Sequence, residues 1–466
     1  MIDRVLRPAA AVCAVVGVLA ATAPPAGAIT PPTVDADASP PSGSTGGVPM
    51  SQRGECVTTG LLGGDSATPV SPSQQALNLT GAWEFSRGQG QKVAVIDTGV
   101  QPGPLLPDVD GGGDFLGSGD GLTDCDGHGT LVAGIIAGQP APGGFSGVAP
   151  EATLVSIRQT SARFTPTDNG GDPAAERARA DIASLAQSIV RAADSGAQVM
   201  NISVTTCLPA DNTFDQSALG AALRYAAEDR DVVIVAAAGN TNGVSSGTGM
   251  IGQCESNPLG GLANRNDPRD WSGVSAVSVP SWWQPYVLSV GSLALDGSPS
   301  SFSMAGPWVG IAAPGESIVS VSNAPDGGLA DGTPNDKGKL TALSGTSYAT
   351  AYVSGIAALV RSRFPDLNAK QVIERLTATA HNGARDPSNL VGAGTVDPVA
   401  ALTWELPTAA RGPQTENIAA PVPEPAPNHT PRNIAFAVTG LLACAVIAAG
   451  FIARRRTGAN GEESVS

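Results

Sequence analysis

The chain carries three histidines, at 128, 381 and 429, so chemistry that needs an imidazole base can be traced by elimination. His429 stands in a proline-rich stretch and His381 in a polar turn after the last helical pattern. His128 lies in the run DCDGHGT from Asp124 to Thr130, with a glycine on each side and a helical pattern directly after it. Flanking glycines let backbone and substrate come close to a titratable group. Asp97 closes an apolar VAVI run and is followed by Thr98 and Gly99. Ser347 opens a long apolar helical pattern just behind a glycine, which puts its hydroxyl at the positive end of the helix dipole. Asn240 ends the run VVIVAAAGN, where its amide is placed as an oxyanion donor. Singly, these are also a turn aspartate, a surface-turn histidine, a helix N-cap and a turn asparagine. Together they supply a nucleophile, a general base, an acid that orients the base, and an oxyanion donor. That is the set acyl transfer through a serine requires.

Elements must bring these residues together from 97, 128, 240 and 347. Continuous apolar runs at 92–96, 154–157, 198–202, 232–236 and 286–290 read as strands buried on both faces, as in a parallel sheet covered by helices. Helical patterns fall at 129–137, 181–193, 215–227 and 346–364, the last stopped by Pro365. A further helix begins at Asn368, with Gln371 completing a capping box. This alternation predicts an α/β domain with a doubly wound, mostly parallel sheet, whose site forms at the carboxyl ends of the strands.

The two ends limit where that domain lies. Residues 1–28 join Arg4 and Arg7 to an apolar run and a small-residue ending, Ala26-Gly27-Ala28, which reads as a secretory signal. The stretch 29–80 is rich in Pro, Gly, Ser and Thr and must lie on another surface to be ordered. The domain follows at 81–403. A proline-rich linker, 404–432, cannot pack a core and leads to an uncharged apolar run at 433–453. That run is close to the roughly 20 residues that cross a bilayer as one transmembrane helix. Arg454, Arg455 and Arg456 follow, so the tail 454–466 is expected in the cytoplasm and the domain on the extracytoplasmic side of the cell membrane.

The net charge is −15, which argues against nucleic acid as a partner. Cys13 and Cys444 fall in the terminal apolar runs, leaving Cys56, Cys125, Cys207 and Cys254 in the exported part. Four cysteines in an oxidising compartment imply two disulfides, with three connectivities open. No cofactor and no metal are expected. Acidic residues abound between Gly111 and Asp126, but without the spacing of a calcium loop.

The order Asp97, His128, Ser347 is that of subtilisin, and differs from the orders in chymotrypsin and the α/β-hydrolases. The runs VAVIDTGV (93–100), GHGTLVAGIIA (127–137), GVAP (147–150), AAAGN (236–240), AAPG (312–315) and GTSYATAYVSG (345–355) resemble, in order, the blocks of the subtilisin-like peptidases, or subtilases. The resemblance implies a subtilisin-like fold and a serine endopeptidase acting on polypeptides. Asp97, His128 and Ser347 would be its triad, with Asn240 and the Ser347 amide as the oxyanion donors. Asn201, Ile202 and Ser203 resemble the segment that pairs with extended substrate. Leu131, Ala351 and Tyr352 stand where many subtilases have His, Pro and His, and Val204-Thr205-Thr206 replaces a common Leu-Gly-Gly.

The extension with Cys56, Cys125 beside the histidine, the proline-rich linker and the terminal span together resemble the mycosins, subtilases of type VII secretion systems. This narrower likeness implies a type VII secretion membrane complex as partner and an extension that stays to brace the domain. It also implies the pairs Cys56–Cys125 and Cys207–Cys254.

Two other readings compete. Gly243 to Gly247 matches G-x-S-x-G, but a loop pattern follows where an esterase elbow needs a helix. In the second, the chain stabilises a secretion membrane complex and proteolysis is dispensable. The topology is testable by fusion. A reporter after Ser466 should behave as cytoplasmic and one in the proline-rich linker as exported, and truncation before Glu405 should release a soluble domain. Tight membrane binding of that truncate would overturn the single-span expectation.

Overall fold

The computed structural model describes residues 29–46, 48–63, 70–167, 171–241, 254–259, 267–335, 337–383 and 387–406, and scattered positions from 436 to 450. The expected signal at 1–28, the 243–247 run, the linker beyond Leu406 with His429, and the tail 454–466 lie outside these residues. The chain divides into two compact units, Met1–Leu406 and Pro407–Ser466. In the second, the described positions from Phe436 to Gly450 are helical. Among the described residues, no helix is long and apolar enough to cross a membrane.

Among the described residues, the central sheet of the first unit has nine strands. In chain order they are β1 (Lys92–Asp97), β2 (Val109–Asp114), β3 (Thr153–Arg158), β4 (Val199–Ile202), β5 (Val233–Ala237), β6 (Val287–Leu293), β7 (Val309–Pro314), β8 (His381–Asn382) and β9 (Gly394–Thr395). Their order across the sheet is β8-β9-β7-β6-β5-β4-β1-β3-β2. Every pairing is parallel except that of β8 with β9. β1 sits between β3 and β4, with Asp97 level with Arg158 and Ile96 level with Ile202. Successive side chains of a strand point to opposite faces. Val93 and Val95 of β1 therefore enter one core and Ala94 and Ile96 the other.

Helices fill both faces, as a parallel sheet requires. On the Val93 side lie α1 (His128–Ala137), α4 (Thr346–Arg363) and α5 (Ala369–Ala378), and α1 packs against α4. On the other side lie α2 (Pro173–Asp194) and α3 (Ser217–Arg224), the latter running on into a π turn at Tyr225–Asp229. Asn368 and Gln371 form the capping box expected of them. α2 begins eight residues before the apolar pattern that announces it, because Asp172 caps Ala174 and Pro173 starts the turn in a polar segment. β2 carries no apolar pattern at all, since its sequence is VDGGGD.

The extension lies on this unit along much of its described length. Met50–Gln52 pairs antiparallel with Phe164–Pro166, and Gly60 pairs with Gly332. Cys56 is bonded to Cys125, and Cys207 to Cys254. Beside the first disulfide, Val57 N–H donates to Cys125 O at 2.9 Å. Asn323 Nδ2 donates to Val57 O and Asp124 O, while its Oδ1 accepts from Thr59 N–H at 3.0 Å. One side chain thus joins the extension to the loop before His128. Removing the Cys56–Cys125 bond, with both residues changed to Ser, opens a loop of 69 residues. The chain-entropy model then expects a loss of about 4 kcal/mol, read as a lower urea midpoint. An unchanged midpoint would mean the extension contributes no cross-link stability.

Candidate active site

Three separate elements deliver Asp97, His128 and Ser347. Asp97 is the last residue of β1, His128 the first of α1 and Ser347 the second of α4. His128 Nδ1 lies 2.7 Å from Asp97 Oδ1, and His128 Nε2 lies 2.9 Å from Ser347 Oγ. None of the three is more than 1% exposed. Asp97 Oδ1 also accepts the Thr98 N–H at 2.8 Å, which holds the carboxylate in plane for the imidazole. Gly129 is required directly behind the histidine, because a Cβ there would lie 2.0 Å from Gly99 O. The backbone at Gly127 has φ +76°, a left-handed conformation in which a side chain is strained.

Burial alone would lower the pKa of His128, but the charge of Asp97 and its hydrogen bond outweigh this, with Asp124 and Asp126 adding to the rise. The net effect lifts the imidazole above 6.5. The Tyr348 ring lies 5.5 Å from the imidazole, tilted by 42°, and closes one side of it. Burial, with the charges of Asp97 and Asp124, pushes the Tyr348 hydroxyl far up and keeps it neutral.

Asn240 follows β5, and its Oδ1 accepts Thr346 N–H and Thr346 Oγ–H, each at 2.9 Å. A backbone N–H can only donate, so the amide oxygen must face Thr346 and Nδ2 is the group left to donate. The Ser347 N–H belongs to the first turn of α4, where helices have no partners for their amides. Two donors are thereby available near Oγ.

Asn201 and Ile202 need correction. They lie inside β4, with β1 on one side and β5 on the other, so their backbone has no open edge for a substrate strand. Only Ser203, after the strand, lies beyond that pairing. The polar side chains serve the helix instead. Ser203 Oγ donates to Ser347 O at 3.0 Å, Asn201 Nδ2 to Ser203 Oγ at 2.8 Å, and Ser354 Oγ to Asn201 Oδ1 at 2.9 Å. His381 stands apart on β8 at the sheet edge. Among the described residues, no cluster of three His, Cys, Asp or Glu could hold a metal.

Residues 88–394 match the model of the subtilase family, the Peptidase_S8 domain. The chain belongs to the subtilases, in their mycosin group. It is 61% identical to mycosin-3 of Mycobacterium tuberculosis, over 93% of this chain and 95% of that one. It is similar to the MycP3 protease from the type VII (ESX-3) secretion system, with TM-score 0.77 and 64% identity, over 81% of this chain and all of that one. It also resembles a chain in the intact ESX-5 inner membrane complex, with TM-score 0.78 and 42% identity, over 92% of this chain and all of that one. This subtilase is accordingly a serine protease. The residues that sequence reasoning overlooked, Thr98, Asp124 and Thr346, are the ones that hold the site in shape. The doubled aspartate of DCDGHGT was the one available signal.

A base must be neutral to take a proton, so reaction of Ser347 with a fluorophosphonate should rise with pH along a limb centred above 6.5. The raised pKa also means that folding favours the protonated imidazole. That contribution is fully present below pH 6.5 and is lost as pH rises through the folded-state value. Asp97→Asn should move the limb down and slow the reaction by about 10⁴-fold. A native limb at or below 6.5 would contradict the assignment.

Proposed function

We propose that this subtilase is an endopeptidase that cleaves exported polypeptides through an acyl-enzyme, with Asp97, His128 and Ser347 as its triad. The observation that carries the reading is the unbroken hydrogen-bond chain Asp97–His128–Ser347 in a chain of this family. His128 Nε2 takes the Oγ proton as Oγ bonds to the scissile carbonyl carbon. Asn240 Nδ2–H and the Ser347 N–H receive the oxyanion. On collapse the C–N bond breaks and His128 protonates the leaving amine. Water, deprotonated by His128, then attacks the ester and frees Ser347. Substrate would pair along the segment that starts at Ser203, where β4 ends.

The setting in this reading is a type VII secretion membrane complex. The relatives that support it are the MycP3 protease of such a system and the chain within the ESX-5 inner membrane complex. A signal at 1–28 and a span at 433–453 would place the peptidase domain outside the cytoplasm, tethered by the proline-rich linker. Residence of a relative inside a membrane complex also favours a second role, in which the fold stabilises the assembly. A strain carrying Ser347→Ala separates the two. Lost processing with an intact complex indicates the protease role, whereas collapse of secretion only on deletion of the whole chain indicates the structural one.

Purified Ser347→Ala should lose fluorophosphonate labelling and peptide cleavage while keeping the fold. Asn240→Ala should lower kcat by about 10²–10³ with little change in KM. Labelling that persists in Ser347→Ala would show that another serine is the nucleophile.

A further inference from the structure

Asp124 is buried, four residues before His128, and touches neither His128 nor Ser347 through any hydrogen bond found here. Its carboxylate accepts five hydrogen bonds. Oδ1 receives Thr98 Oγ–H at 2.8 Å, Gly127 N–H at 2.8 Å and Asp126 N–H at 3.1 Å. Oδ2 receives Thr130 N–H at 2.8 Å and Thr130 Oγ–H at 2.6 Å. The donors come from both sides of the catalytic pair. Thr98 follows Asp97 directly, and its Oγ in turn accepts Gly129 N–H at 2.9 Å. Thr130 lies in the first turn of α1, and its Oγ accepts Gln101 N–H at 3.0 Å. One carboxylate therefore ties the end of β1 to the start of α1, the two places from which Asp97 and His128 project.

We propose, resting on the triad assignment above, that Asp124 is a positioning residue whose carboxylate sets the Asp97–His128 hydrogen bond by locking the 97–101 turn to the first turn of α1. The arrangement costs something. Burial, aided by the charge of Asp126 and opposed by the Thr130 and Thr98 bonds, raises the Asp124 pKa from 3.8 to about 6. The folded chain thus holds this proton more tightly than the unfolded chain, and stability from this group falls as pH rises from about 4 to 6. Ionised, it accepts all five bonds. Protonated, one oxygen must donate into a shell of donors. The ionisable groups around it are Asp97 across Thr98, Asp126 and His128 on its own loop and helix, and Tyr348 on α4.

The test uses the full chain and three variants, with Ser347 reactivity toward a fluorophosphonate, kcat and KM on a peptide substrate, and the low-field NMR proton of His128 Nδ1–H. Asp124→Asn keeps the shape but sets an N–H₂ against the Thr130 N–H. Thr98→Val removes two bonds, the one to Asp124 and the one from Gly129 N–H, and keeps volume, while Thr98→Ser restores the hydroxyl. A misplacement of catalytic groups by about 1 Å can cost on the order of 10²-fold, so Asp124→Asn and Thr98→Val should lose about 10- to 100-fold in kcat and labelling rate. KM should hold, the low-field proton should shift or broaden, and Thr98→Ser should recover to within about twofold of the parent. The Asp124→Asn acid limb should also be shallower, having lost one of two titrating groups. If Asp124→Asn does not fold, Thr98→Val decides. Folded variants with parental labelling rates and an unmoved low-field proton would overturn the proposal. Labelling that survives Ser347→Ala would instead overturn the triad beneath it.

Discussion

A carboxylate and an imidazole meet at 2.7 Å with no more than 1% of either exposed, and much of the molecule is arranged around that contact. Taking a charge out of water is expensive unless partners are supplied in good geometry. β1 supplies the acid from a strand flanked on both sides, and α1 supplies the base from its first residue. Neither side chain has room to search. The close approach of Gly129 to Gly99 O lets the two elements come near enough, and any Cβ there would separate them.

The serine is held by a different system. α4 packs on α1; its first turn is tied to Ser203 after β4 through Ser347 O and to Asn240 beyond β5 through Thr346, and Ser354 farther along the helix bonds Asn201 of β4. One asparagine thereby does two jobs. Its oxygen fixes the turn that presents Ser347, and that same bond aims its nitrogen as a donor. Loosening Thr346 would disturb the setting of Ser347 and Asn240 together.

The strand runs, the doubly wound sheet and the meeting of Asp97, His128 and Ser347 were legible because each rests on a local pattern. β1 alternates between two cores, and the GTS turn precedes an unbroken apolar helix. What was hidden depends on partners distant in the chain. β2 is a strand because β3 lies beside it, with no apolar signature in VDGGGD. The head of α2 is polar and announced only by Asp172 and Pro173. Asn201 and Ile202 were assigned to substrate through the subtilase resemblance, and a strand run does not reveal that β1 and β5 flank it on both sides. Five donors converging on Asp124 come from 98, 126, 127 and 130, and no spacing rule joins Thr98 to that group.

The Cys56–Cys125 bond joins the extension to the loop that precedes His128. A cut anywhere between Cys56 and Cys125 leaves the N-terminal piece covalently attached. Shedding it is then a coincidence event, needing hydrolysis and reduction on the same molecule. Neither a protease nor a reductant suffices alone. A cut beyond Thr59 would let the released piece take both Val57, a partner of Asn323, and Thr59, which lies beside Gly127.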